Sequence, residues 1–452
     1  MIKNLILLLA STFLIMALGE WLFPKIIGKL PLRLYGLIDK DLRVLAQSSK
    51  KNQIPKDYIA ITGDSYAVGA GDWLNEVLEK KFWDSPDYSV AHLIHKKTGI
   101  DVVSFGRAGV GSFNGIWSEP VSQFLNINST KNYRLLPPEY FLIFFYEGND
   151  VYENTQFLRD NLVKTDNPNE NPGPVNKTRT VQERRIINAI NKQLAKVELK
   201  KIKDFLNIEF EKVLNRSFDN SVWKNMLFTR SILQGISNLS EEWRLSNKQP
   251  ERKHFYPKTM PEGKASVALM DGRKIQLNVV MMNGKKIELP THLQAPPHFG
   301  FTEVEKKLEL TDKSIKLSEY IFNESVTRLA SFFPQSKIKI IYIPSPLSSY
   351  KIVSSHIHFR GLMQDIHVGK TTVAEENHIK LCKTIKRFAE FQGFSFINTT
   401  KSLRQATLSH FIHGPVDWDH FNKHGYQVLS DELIGLFINE DQSTRTDNCA
   451  HW

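Results

Sequence analysis

Residues 141–146 read Phe-Leu-Ile-Phe-Phe-Tyr, six large apolar side chains in succession. A strand with one wet face alternates polar and apolar residues, whereas a strand covered on both faces does not. The run is therefore read as an inner strand of a sheet sandwiched between helices. Shorter apolar runs at Tyr58–Thr62, Val102–Phe105, Lys337–Ile343 and Phe394–Ile397 are its expected partners. Between them lie helical patterns at Ser89–Lys97, 311–333, 372–391 and 424–438. Strands alternating with helices predict a three-layer α/β/α domain built on a mostly parallel sheet.

Composition allows such a core. The chain has 452 residues, 41% hydrophobic and 24% charged, which excludes a largely disordered chain and a multi-span membrane protein. Lys+Arg 59 against Asp+Glu 48 leaves +11. Because these charges are scattered, they are read as a solvated surface in anionic surroundings, with no nucleic-acid groove. The two cysteines, Cys382 and Cys449, exclude a disulfide scaffold and a cysteine-ligated zinc site, and leave the compartment open.

The amino-terminal stretch bears on location. Leu5 to Leu18 carries no charge, and the run continues across Glu20 to Phe23. As a helix, Leu5–Phe23 would extend about 28 Å at ~1.5 Å per residue, close to the thickness of a bilayer's hydrocarbon. Trp21 and Lys25 would then mark the far interface, with Glu20 reaching the headgroups. Ala17-Leu18-Gly19 also fits a signal-peptidase site. A transmembrane anchor or signal peptide is thus expected over 1–23, with the body in a periplasm or outside the cell.

A basic stalk is expected over 24–55. The α/β rhythm occupies 56–155 and 311–440 and is broken by an insertion over 156–310, followed by a tail over 441–452. Within the insertion, Asp166–Pro174 is too rich in Pro, Asn and Gly for regular structure, and 181–215 has a charged helical pattern. Asp271-Gly272 and Asn283-Gly284 separate three short strand-like runs, predicting a small antiparallel meander.

In open parallel sheets, ligands bind in the loops that follow the strands. Gly63-Asp64-Ser65-Tyr66 follows the first strand, Gly106-Arg107-Ala108-Gly109-Val110-Gly111-Ser112 the second, and Glu147-Gly148-Asn149-Asp150 the third. Asp417-Trp418-Asp419-His420-Phe421-Asn422-Lys423-His424-Gly425-Tyr426 precedes the last helix. These loops supply a hydroxyl nucleophile, backbone amides, a side-chain amide and an Asp/His pair, the inventory for acyl transfer through a serine ester.

Taken in order, Gly63-Asp64-Ser65, Gly109, Asn149 and Asp417-x-x-His420 resemble the SGNH (GDSL-type) hydrolase superfamily over roughly 56–155 and 311–440. The resemblance implies Ser65 as nucleophile, His420 as general base and Asp417 as its orienting acid. It implies an oxyanion hole of the Ser65 and Gly109 amides and the Asn149 side chain, with Asp64 and Asp150 in support. One departure is Glu147, which stands where the third block usually begins with glycine and is expected to place an acid near the site. Each residue also has a plainer reading. Asp64 with Ser65, and Asn149 with Asp150, suit helix caps. Arg107 suits an exposed position, and so do His413 and His424. Asp419 is the rival of Asp417. A metal held by Asp417, Asp419, His420 and His424 is the alternative to the serine chemistry, which needs no metal or cofactor.

The implied activity is a membrane-tethered esterase acting on an acylated carbohydrate or lipid. An O-acetyltransferase for an envelope polysaccharide is the runner-up and would need a membrane partner supplying the acyl donor. A non-catalytic glycan-binding or assembly protein is the third reading.

Overall fold

The computed structural model describes residues 2–31, 34, 38–74, 89–162, 199–217, 225–246, 267–268, 274–275, 278–290, 293–297, 312–360, 366–438 and 449–450. The Asp166–Pro174 stretch, the first part of the helix expected over 181–215 and most of the tail lie outside them.

The chain opens with helix α1 (Ile2–Ile26). Strand β1 (Ile59–Thr62) leads through a short turn into α2 (Ser65–Val68), then α3 (Val90–Thr98) and β2 (Val102–Ser104). A π-helical turn, Phe113–Ser118, runs into α4 (Glu119–Asn128), followed by β3 (Tyr140–Tyr146) and α5 (Asp150–Leu162). Next come α6 (Leu199–Ser217), α7 (Leu227–Ser246), β4 (Val279–Met282) and β5 (Lys285–Glu288). The rhythm resumes with α8 (Asp312–Phe332), β6 (Lys337–Ile343) and a hairpin of β7 (His356–Arg360) and β8 (Ile366–Lys370). It closes with α9 (Thr371–Gln392), β9 (Ser395–Asn398), α10 (Thr400–Thr407) and α11 (Lys423–Ile438).

The five-stranded sheet has the order β2-β1-β3-β6-β9, and all its pairings are parallel. From β1 the chain moves first to one side, to β2, and then to the other, to β3. The loops after β1 and β3 therefore lie at the point where the strand order reverses, the place where open parallel sheets bind ligands. Side chains along β3 divide between two cores, Phe141, Ile143 and Phe145 on one face and Leu142, Phe144 and Tyr146 on the other. This explains why the run shows no polar alternation.

Several expectations need correcting. Residues 24–55 do not form a free stalk: Ile27, Ile38, Leu42, Val44 and Leu45 are buried in the first core. The Gln47 amide bonds both backbone groups of Ser104, and the Val102 N–H donates to Ser49 O. This segment thus covers part of the sheet edge at β2, where unpaired backbone would otherwise face solvent. Of the insertion's described residues, Ile202, Leu206 and Phe210 of α6 join the first core and Val280 and Met282 of β4 the second. The expected meander is two separate ladders, Val267–Ala268 with Lys274–Ile275 and β4 with β5. The hairpin β7–β8 was not anticipated.

Cys382 of α9 and Cys449 form a disulfide across 67 residues. Helix α1 is long and apolar enough to cross a membrane, with a mean hydropathy of 2.1 over its most apolar window. Its Glu20 does not reach outward. The carboxylate accepts from Phe228 N at 3.0 Å, Thr229 N at 2.8 Å and Thr229 Oγ1 at 2.6 Å, at the first turn of α7.

Candidate active site

The loop carrying Ser65 is held from below by the π-helical turn. Gly115 O accepts from Gly63 N at 3.1 Å and from the Thr62 hydroxyl. A side chain at Gly115 would strike the Gly63 carbonyl, at 2.6 Å from its Cβ. The widened turn thus aims a carbonyl at the end of β1. Asp64 caps α2 by accepting Tyr66 N at 3.0 Å. Ser65 is the first helical residue, so the cap does not use its side chain. Its Oγ lies 2.8 Å from His420 Nε2 and 3.2 Å from Asp64 Oδ2.

His420 Nδ1 is 2.8 Å from Asp417 Oδ2, while Asp417 Oδ1 accepts His420 N at 3.2 Å and Asp419 N at 3.1 Å. With Nδ1–H donating to a carboxylate, Nε2 carries the lone pair that faces Ser65. Burial alone would raise the Asp417 pKa, but the bond and charge of His420 and two backbone donors outweigh it and lower it. Burial likewise opposes the imidazolium of His420, yet Asp417, with Asp419 and Asp64 in support, holds its pKa above the ordinary value.

The loop carrying Asp417 and His420 is fixed at both ends. Asp72, just beyond α2, accepts the backbone N–H groups of Val416 and Asp417. Asn422 caps α11 by accepting Gly425 N at 3.1 Å, and its amide donates to Phe411 O and His413 O. Tyr66 OH donates to Asp419 O at 2.7 Å. Asp419 forms an ion pair with Arg360 of β7 at 2.8 Å, so the rival carboxylate is engaged away from the imidazole nitrogens. The Arg360 N–H reaches Leu293 O, and Tyr146 at the end of β3 bonds Gln294. The hairpin and the end of the insertion therefore wall the site. Asp72, Arg360, Gln294 and the two tyrosines carry no motif, and sequence reasoning passed over them.

Asn149 sits beside Asp64, to which its amide hydrogen-bonds, and Nδ2 also lies 3.2 Å from Glu153 Oε1. Gly109 occupies an exposed turn at φ +70°, with nothing within 4 Å of where a side chain would be. That loop is tied to the Ser65 loop by Arg107 N donating to Gly63 O. Arg107's own side chain is half exposed and pairs with Glu119 at 2.7 Å.

Glu147 does not enter the site. It is fully buried, 2.7 Å from His378 Nδ1, and accepts from Tyr342 OH and Ser345 N. The departure from glycine therefore serves packing between β6 and α9. Asp150 accepts Tyr146 N at 2.8 Å, a structural bond closing the turn after β3. His413 is a core residue, not a surface one; burial pushes its pKa down to about 3. The His424 ring lies tilted against that of His410, 4.7 Å between centroids. Of the four residues of the metal alternative, Asp417 and His420 bond each other and Asp419 pairs with Arg360.

Among the described residues, Asp64, Asp150 and Glu153 form one group whose ligand atoms lie within 4.8 Å of one another. Burial raises the pKa of all three, and the Asp64 charge adds to the effect on the other two, Glu153 reaching about 8. A cleft of about 370 Å³ lies elsewhere, lined by Leu347, Tyr350, Thr371 and Glu375, and contains none of Ser65, His420 or Asp417.

No family model matches the chain, and no curated protein or solved structure matches it either.

Proposed function

We propose that this chain is a serine-dependent acyl hydrolase of SGNH type, acting on a carbohydrate or lipid ester at a membrane surface. The observation that carries the reading is the unbroken path from Ser65 Oγ through His420 to Asp417, with both hydrogen bonds at 2.8 Å. His420 Nε2 takes the Ser65 proton as Oγ attacks the ester carbonyl. The tetrahedral intermediate collapses, the C–O bond to the alcohol breaks, and Nε2 returns the proton to the leaving oxygen. Water then repeats the sequence on the acyl-serine, releasing the acid and free Ser65. Such proton transfer contributes ~10²–10⁴-fold to rate. The Ser65 and Gly109 amides and the Asn149 side chain are the proposed oxyanion donors, each worth about 2.7–4 kcal/mol of barrier.

The strand order supports the reading, since it sets the loops carrying Ser65 and Asn149 at the point where the order reverses, where open parallel sheets bind ligands. The disulfide supports an oxidising compartment, with the body across the membrane from the cytoplasm. The test is acetate release by the full chain in detergent from an activated ester and an acetylated oligosaccharide, with Ser65→Ala alongside. Serine-dependent release is expected. No release, together with no labelling of Ser65 by a fluorophosphonate, would move the reading to a binding or assembly protein.

A further inference from the structure

Helix α7 lies against α1 at one level of the molecule. Besides the three bonds to Glu20, Phe228 packs edge-on to Phe23 at 5.8 Å, and its ring fills the space beside Gly19. The opposite side of this end of α7 is tied to the body: Arg230 is buried and pairs with Asp39 at 3.1 Å, and Ser231 Oγ accepts Asp39 N. On the remaining face Ile232, Leu233 and Ile236 are 43%, 49% and 59% exposed. Trp21 and Leu22 are exposed on α1 at the same level, with Lys25 over the Trp21 ring.

These placements fix what the face meets once α1 is in a bilayer. The apolar run ends at residues 19–23, so whatever docks there stands at the membrane–water boundary. Ile232 and Ile236 lie three and seven residues beyond Thr229, about 5–11 Å along α7. The interfacial layer, and the depth to which amphipathic helices sink into it, are on the same scale. We infer that α7 is a second membrane contact, an interfacial helix whose Ile232, Leu233 and Ile236 sit in the headgroup–acyl boundary beside α1. The body is thereby held against the lipid surface at two points. A second copy of the chain is the lesser fit, because the face begins beside residues 19–23 of α1, where Trp21 and Leu22 are themselves exposed. The inference rests on α1 entering a membrane and is independent of the catalytic assignment.

The test uses the full chain reconstituted in phosphatidylcholine vesicles, with Leu233→Cys, Trp21→Cys and Phe391→Cys each labelled with bimane. Phe391, 86% exposed on α9, reports an apolar residue in water. The Leu233 label is expected to be quenched by a lipid nitroxide near the headgroups as strongly as the Trp21 label, and protected from aqueous iodide. The Phe391 label is expected to behave oppositely. A Leu233 label quenched by iodide would overturn the inference. One shielded from both quenchers would also overturn it, and would point to a protein covering the face. A Trp21 label insensitive to the lipid nitroxide would overturn the membrane reading of α1 itself. Retention of the native disulfide and of near-ultraviolet dichroism in each variant keeps misfolding separate from these outcomes.

Discussion

The carboxylate of Asp72 accepts the backbone N–H of Asp417. The segment just after the Ser65 helix therefore carries the loop that bears His420, although the two residues are 345 positions apart. Asp72→Ala removes an acceptor from two backbone donors and frees that loop. Stability should fall by about 1–3 kcal/mol, and kcat by about 10²-fold through misplacement of His420. Turnover measured at a temperature where the variant stays folded separates the two effects. Unchanged kcat would show that the loop is held without this bond.

Ser65→Ala and His420→Ala should each lower kcat by about 10⁴–10⁶-fold. Thermal midpoints near that of the parent would show that the loss is chemical. Asp417→Asn should cost less, because Asp417 orients the base and forms no bond to substrate.

The pH profile follows from the raised pKa of His420. The base works only when neutral, so kcat/KM should rise with pH and level off, with its midpoint above the ordinary histidine value of ~6.5. Asp417→Asn removes the main raising influence and should move that midpoint down. A midpoint unmoved by the substitution would assign the limb to another group.

Glu147 and His378 form a buried pair away from the chemistry. Burial would raise the Glu147 pKa, but His378 and the surrounding donors lower it below the usual glutamate value. The stability this contributes is present above the unfolded-state pKa and is lost as pH falls through the lower folded value. Glu147→Ala should destabilise by about 3–5 kcal/mol while leaving kcat per folded molecule unchanged. A lowered kcat at full folding would return Glu147 to the site.

Reduction of Cys382–Cys449 should lower stability by about 2–4 kcal/mol, because the bond closes a 67-residue loop. Denaturant midpoints with and without reductant measure it, and coincident midpoints would remove the bond from the account of stability.

What was legible in the sequence was local. The β3 run announced its burial because six neighbouring residues share one environment. Asp417 and His420 stand three apart on one turn, so their pairing is visible as spacing. Glu147 misled because its partner, His378, comes from a helix 231 residues away. Residues 24–55 looked solvated because Lys and Ser separate apolar side chains that only the folded sheet edge and α7 bring into register. Cys382 and Cys449 looked unrelated for the same reason.

The bonds of Glu20 to α7 have a consequence for synthesis. The carboxylate and Thr229 are 209 residues apart, so at ~5–20 residues per second about 10–40 s pass before the ribosome makes its partner. During that interval the acid at the end of the apolar run has only water or headgroups to solvate it. The nascent chain thus begins without protein donors for this carboxylate, and the arrival of α7 supplies three.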